Sequence, residues 1–211
     1  MNVSRKTVDV RADDASLPGD LLLPADARAL VVFAHGSGSS RLSPRNVSVA
    51  ERLRRDGLGT LLFDLLTERE SDDRRLVFDI GLLARRLAAA VEQVTDDPDA
   101  AGLPVGLFGA STGAAAALVA SVSLARVAAI VSRGGRPDLA GDALERVSAP
   151  TLLIVGGADR QVLGLNREAQ AGMRSETRLE VVPGATHLFE EPGALDRVAE
   201  LAADWFVRHL G

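Results

Sequence analysis

A serine framed by glycines, Gly109-Ala110-Ser111-Thr112-Gly113, separates the apolar run Val105 to Phe108 from the alanine-rich run Ala114 to Ala120. The first run suits a buried strand and the second a helix. The pentapeptide between them has the G-x-S-x-G form of a sharp strand-to-helix turn with the serine strained and exposed at its apex. A Cβ at Gly109 or Gly113 would collide with the neighbouring strand or helix. At the helix start, the Thr112 N–H has no partner within the helix and is free to face a developing oxyanion. The same five residues also suit a plain βα turn with Ser111 as helix N-cap. The surrounding chain has to decide between the two.

Strand-like and helix-like stretches alternate from Leu30 onward. Leu30–Ala34, Thr60–Phe63, Val127–Val131, Thr151–Val155 and Leu179–Val182 read as strands. Helices are expected from Ser43-Pro44, with Ser43 capping and Gly57 ending it, from a start between Asp73 and Asp79 through Val94, over Leu139–Arg146, over Asn166–Met173, and from Gly193 to about Leu210. Val47, Ala50 and Leu53 share one face of the first. Thr7–Val10 and Leu17–Leu23 read as an antiparallel edge, and Thr67–Arg75 as a charged loop. The pattern predicts an α/β fold in one domain: a doubly wound, mostly parallel sheet of about 7–8 strands with helices on both faces. In such sheets ligands bind beyond the carboxyl ends of the strands. Each unusual loop falls at one of those ends.

Composition narrows the partners. A net charge of −5 without a basic block argues against nucleic acid, and Arg52, Arg54 and Arg55 read as a solvated helix face. There are no cysteines, which excludes disulfides, thiol nucleophiles and thiolate metal sites. Three scattered histidines offer no metal-ligand spacing, so neither metal nor cofactor is expected. Ala100 to Ala125 is uncharged, but Pro104 and its glycines suit a buried strand–turn–helix better than a membrane span. Met1 to Val10 lacks a signal-peptide core, so a cytoplasmic protein is expected. The oligomeric state is left open.

A serine nucleophile needs a base. His209 lies near the end of the last helix, where a cation suits the helix dipole. His35 precedes a glycine turn and suits a loop tie. His187 follows the last strand with no periodicity to explain it, and is the candidate base. Asp159, at the end of the preceding strand, is the candidate acid that fixes the tautomer of His187, with Asp138 and Glu190 as reserves. The bland reading of Asp159 is a turn residue paired with Arg160. The order Ser111, Asp159, His187 is the one expected of an elbow-bearing fold. Ser37, with Gly36 as alternate, is the candidate second oxyanion donor beside Thr112. Arg133 and Arg136 flank two glycines at the rim. They read either as substrate carboxylate or phosphate binders, or as a solvated turn with Arg136 paired to Asp138.

From about Leu21 to His209 the chain resembles a small member of the α/β-hydrolase superfamily, the dienelactone-hydrolase-like group. The residues that carry the resemblance are His35-Gly36-Ser37-Gly38-Ser39-Ser40-Arg41, Gly109 to Gly113, Gly157-Ala158-Asp159 and Gly184-Ala185-Thr186-His187. The resemblance implies a Ser-His-Asp triad and hydrolysis of a small-molecule ester-type substrate. Dienelactone hydrolases carry a cysteine where this chain has Ser111, which points to an ester-hydrolysing relative. Ser132 to Pro150 is too short for a cap domain, leaving the site covered at most by Thr67–Arg75 and the Arg133–Asp138 loop. Two rivals remain. A dinucleotide fold would need a tiny residue where Arg41 stands. A binding, regulatory or lyase protein could keep the fold without hydrolysis.

Overall fold

Every residue of β3 (Ala29–Ala34), β4 (Leu58–Phe63), β5 (Val105–Ala110) and β7 (Thr151–Gly156) is buried. Strands apolar on both faces must be covered on both faces, and the helices do this. The computed structural model describes residues 3–211; Met1 and Asn2, part of the stretch read for a signal peptide, lie outside them. β1 (Val3–Ala12) and β2 (Ala15–Pro24) pair antiparallel from Val3↔Pro24 to Ala12↔Ala15. β2 pairs antiparallel with β4. β6 (Val127–Arg133) and β8 (Thr177–Val182) complete an eight-stranded sheet in the order β1-β2-β4-β3-β5-β6-β7-β8, parallel from β4 onward.

The crossover helices divide between the faces. α1 (Pro44–Arg55) and α7 (Ala194–Leu210) cover one, where Phe33, Phe108, Leu53, Val198 and Phe206 pack together. The Phe33 and Phe108 rings lie 4.8 Å apart, a contact that contributes about 0.5–1.5 kcal/mol beyond area burial. α4 (Ile80–Thr95) and α5 (Thr112–Ser121) cover the other with Leu83, Leu87, Val91, Ala115 and Leu118. α6 (Arg160–Gly172) lies beside β7 on this second side, next to a 3-10 segment over Pro137–Arg146. Among the described residues, no helix is long and apolar enough to cross a membrane.

Local chemistry moves several expected boundaries. Thr67–Arg75 is not a loop: it holds two short helices, α2 (Glu68–Ser71) and α3 (Arg74–Val77). Thr67 and Glu70 form a capping box that nucleates the first. α6 starts at Arg160, well before Asn166; Gly164, which disfavours helix by about 1 kcal/mol, masks it in the sequence. Leu139–Arg146 is not one α-helix: 3-10 turns lie on either side of a kink at Gly141, whose φ of 52° is non-helical. Ser43 precedes α1 as expected, but its side chain makes no cap bond. On α1 the buried stripe includes Asn46 and Val49, and Val47 is only partly covered.

Candidate active site

Ser111 carries φ 51° and ψ −119°, a conformation non-glycine residues rarely adopt. Such a backbone costs on the order of 1–3 kcal/mol and persists only where the surroundings enforce it. Here two glycines do so. A Cβ on Gly109 would come within 2.4 Å of the Ala114 Cα, and one on Gly113 within 2.2 Å of the Ala34 carbonyl oxygen. The Ser111 N–H donates to the Arg133 carbonyl at 3.2 Å, and its own carbonyl accepts from Ala114 and Arg136 N–H at 3.1 Å each. Thr112 opens α5, so its N–H has no acceptor within the helix.

His187 and Asp159 meet because the loops after β7 and β8 are laced together. The Gly157 N–H donates to the Val182 carbonyl at 2.8 Å and the Ala158 N–H to the Ala185 carbonyl at 2.9 Å. A Cβ on Gly156 would lie 2.3 Å from the Ala185 carbonyl oxygen, so only glycine lets the loops touch. Asp159 precedes α6 but caps nothing; its Oδ2 lies 2.7 Å from His187 Nδ1. A carboxylate accepts, so Nδ1 carries the hydrogen and Nε2 is left as the basic nitrogen. Phe189 anchors the loop just beyond: it is 2 % exposed and held at φ 56°. A Cβ on Gly134 would stand 3.5 Å from His187 Cε1 and Nδ1. The Arg133–Gly134 segment therefore touches Ser111 through its backbone and the His187 ring through its glycine. The reserve acids are committed elsewhere. Asp138 pairs with Arg136, and Glu190 lies 3.5 Å from Arg45.

Two expectations change at the rim, at Ser37 and Arg133, while Arg136 takes the paired form already read for it. The Ser37 N–H is not free: it donates to the Thr112 hydroxyl at 3.0 Å. Gly36 packs against the serine, where a Cβ would lie 3.0 Å from Ser111 Cβ. Arg136 is no free anion binder, since it grips Asp138 through Nε at 2.8 Å and Nη2 at 2.6 Å. Arg133 is no solvated turn residue either; it is 8 % exposed, and its Nη1 is buried without a hydrogen-bond partner.

The other histidines are structural. His35 Nδ1–H donates to the Gly36 carbonyl at 3.0 Å, and its Nε2 accepts the Leu65 N–H at 2.9 Å. Burial pushes its pKa down, which keeps the ring neutral as this pairing requires. His209 packs on the Trp205 ring, with centroids 4.3 Å apart.

A cavity of about 470 Å³ opens beside Thr112 and Ser37, with Leu65, Leu66, Val77 and Leu83 among its walls. α2 forms part of its rim through Glu68 and Ser71. Beneath it Arg86, 3 % exposed, forks onto the two Glu70 oxygens at 2.7 and 2.8 Å and donates to the Leu65 carbonyl at 2.9 Å. Thr67-x-x-Glu70 is a capping-box pattern that marks the start of α2 in the sequence, but nothing local points to Arg86, which lies 16 residues on. The Arg86 hydrogen bonds hold the Glu70 carboxyl down to about 2. A carboxyl lowered on folding adds stability that is complete above its unfolded pKa and is lost as pH falls through the folded one. Acid titrations followed by circular dichroism should therefore show wild type losing stability between about pH 4.5 and 2. Glu70→Gln should be less stable at neutral pH, because it strands the buried Arg86, and should lose less over that acid range. Equal acid slopes would remove Glu70 from this role.

This geometry can be set against known proteins. Residues 27–204 match the family model described as an alpha/beta hydrolase domain. The chain belongs to that family. Within the α/β hydrolases it is a small, dienelactone-hydrolase-like member. The crystal structure of dienelactone hydrolase from Anabaena variabilis is 52 % identical, covers 99 % of each chain and superposes with a TM-score of 0.96. A Pyrococcus furiosus esterase superposes with a TM-score of 0.79 over 99 % of this chain and 94 % of its own, at 18 % identity, and shares the fold. A Mycobacterium tuberculosis protein provisionally named a phosphoribosyl transferase is 59 % identical over 96 % of this chain. This α/β hydrolase spans 46 % of that relative, about half its length.

Proposed function

We propose that this α/β hydrolase is a serine esterase or lactonase that cleaves a small ester, lactone or thioester through Ser111, His187 and Asp159. The observation that carries the reading is the 2.7 Å contact between His187 and Asp159, held by the laced loops after β7 and β8, with the Arg133–Gly134 segment packed beside both His187 and the strained Ser111 backbone. Ser111 Oγ attacks the acyl carbonyl while His187 Nε2 takes its proton. Asp159 holds Nδ1–H and stabilises the imidazolium. The Thr112 N–H meets the oxyanion. The Ser37 N–H joins it once the Thr112 side chain rotates its hydroxyl oxygen out of reach, or the Gly36 N–H takes that place. Collapse expels the alcohol or thiol, which takes its proton from His187. Water activated by His187 then releases the acyl group. The apolar walls near Leu65 and Val77 suit a small acyl or leaving group rather than a long polymer.

The name of the Anabaena relative carries a lactone substrate, which falls within this class. The phosphoribosyl transferase name belongs to a protein more than twice as long as the stretch matched. The hydrolytic reading rests on residues inside that stretch. A fluorophosphonate probe tests it: wild type should be labelled and Ser111→Ala should not. Absence of labelling from mild acid to mild base would leave the binding, regulatory or lyase reading in its place.

A further inference from the structure

We propose that Arg133 and Arg45, at the N-terminal turn of α1, form a subsite for a phosphate group on the substrate of Ser111. The inference rests on the hydrolase reading for its place in catalysis, but not for the binding itself.

Side chains alternate along a strand. Ala129 and Val131 of β6 face the layer of α1 and α7, so Arg133, two residues on, points to the same side. Burial first, and then the positive charge of Arg45, pull the Arg133 pKa down to about 10; no carboxylate acts to offset them. Buried charges in folded proteins are paired or bind an ion. The other arginines around the site have such partners. Arg41 is held by Asp20 and Asp64, Arg86 by Glu70 and Arg136 by Asp138. Arg133 is 8 % exposed, with Nη1 unpartnered. Arg45 has only the largely exposed Glu190 at 3.5 Å, and its Nε is buried without a partner.

The setting suits a phosphate more than a carboxylate. Arg45 is the second residue of α1, where the helix dipole adds positive potential. It lines a cleft of about 540 Å³ together with the hydroxyl residues Ser39, Ser40 and Ser43, and with Asp72. Arg133 and the α1 N-terminus add positive charge beyond what Glu190 takes up at Arg45, and the cleft hydroxyls offer donors to more oxygens than a carboxylate presents, which favours a phosphate even with Asp72 in the cleft. The cleft shares Gly38, Ser39, Ser40 and Leu42 with the cavity beside Thr112. The Arg133 carbonyl itself receives the Ser111 N–H. A phosphate bound here sits on the same short molecule whose acyl carbon meets the serine.

Calorimetry on the Ser111→Ala protein at fixed ionic strength tests the binding, with inorganic phosphate, succinate and chloride as probes. Phosphate is expected to bind, and Arg133→Met or Arg45→Gln in that background to weaken it by roughly tenfold or more. Thermal melts confirm that each variant is folded, and either variant alone suffices. Equal or tighter succinate binding overturns the phosphate assignment. Phosphate binding that survives both substitutions, or none in the parent, overturns the subsite. In an active background, phosphate should inhibit ester hydrolysis competitively in wild type and at least tenfold more weakly in Arg133→Met. Arginine-dependent phosphate binding by a protein that hydrolyses no ester would sink the hydrolase reading and keep the subsite. Hydrolysis without any phosphate effect would do the reverse.

Discussion

Replacing His187 with alanine should lower kcat by about three to six orders of magnitude with little change in KM, because proton removal from Ser111 is needed only in the transition state. The fold should survive. The ring is part-exposed, at 39 %, and its loop is fixed by Ala185 and Phe189 rather than by the imidazole. Asp159→Asn should cost roughly 10⁴ in kcat by a different route, since an amide NH₂ facing Nδ1 favours the tautomer with hydrogen on the wrong nitrogen. The double variant should be little worse than the worse single one, because the two groups act as a unit. Steady-state kinetics on a short-chain ester, with melting curves for each variant, checks this. A kcat within tenfold of wild type for His187→Ala would refute the base assignment.

The second large effect belongs to Gly113. An alanine there would place a Cβ 2.2 Å from the Ala34 carbonyl oxygen and 2.4 Å from that of His35. Both atoms are backbone, held in β3 and at its end, so no side chain can swing away. Relief requires the start of α5 to move off the sheet, which dismantles the turn around Ser111. Gly113→Ala should destabilise the protein by about 3 kcal/mol or more and abolish activity. Gly164 gives the contrast. It lies within α6 with no atom within 4 Å of its would-be Cβ, so Gly164→Ala should stabilise by about 0.4–1 kcal/mol. Chemical denaturation of the two variants reads out both signs. If Gly113→Ala melts with wild type, the close approach of α5 to β3 is wrong.

Much of the candidate site was legible in the chain as a set of loops at one sheet edge. Ser111 and Asp159 each had a plain reading as cap or turn, and stood out as candidates only together with His187, in the order an elbow-bearing fold expects. The structure brings Asp159 and His187 into contact and sets the Arg133–Gly134 segment between His187 and Ser111. Ser37 shows the limit of such reading. Its position after β3 was visible, but the hydrogen bond that takes its N–H comes from Thr112, distant in sequence. Arg136 and Arg133 show it again. The pairing of Arg136 with Asp138 was legible as one of two readings, but the turn of Arg133 into the interior was not.

The sequence by itself determined the layering and the turn. Continuous apolar runs demand cover on both faces, and glycines on either side of a serine permit a backbone that other residues forbid. Those are local or periodic properties, written in neighbouring residues. Only the tertiary structure decided which polar groups are paired. Arg86 with Glu70, His35 with Leu65 and the Ser37 N–H with Thr112 join distant segments, and whether a buried charge finds a partner depends on which loops the sheet order brings to one edge. The unpaired Arg133 belongs to that second kind: in the sequence it is one arginine among many, and in the fold it is a cation held out of water behind the serine.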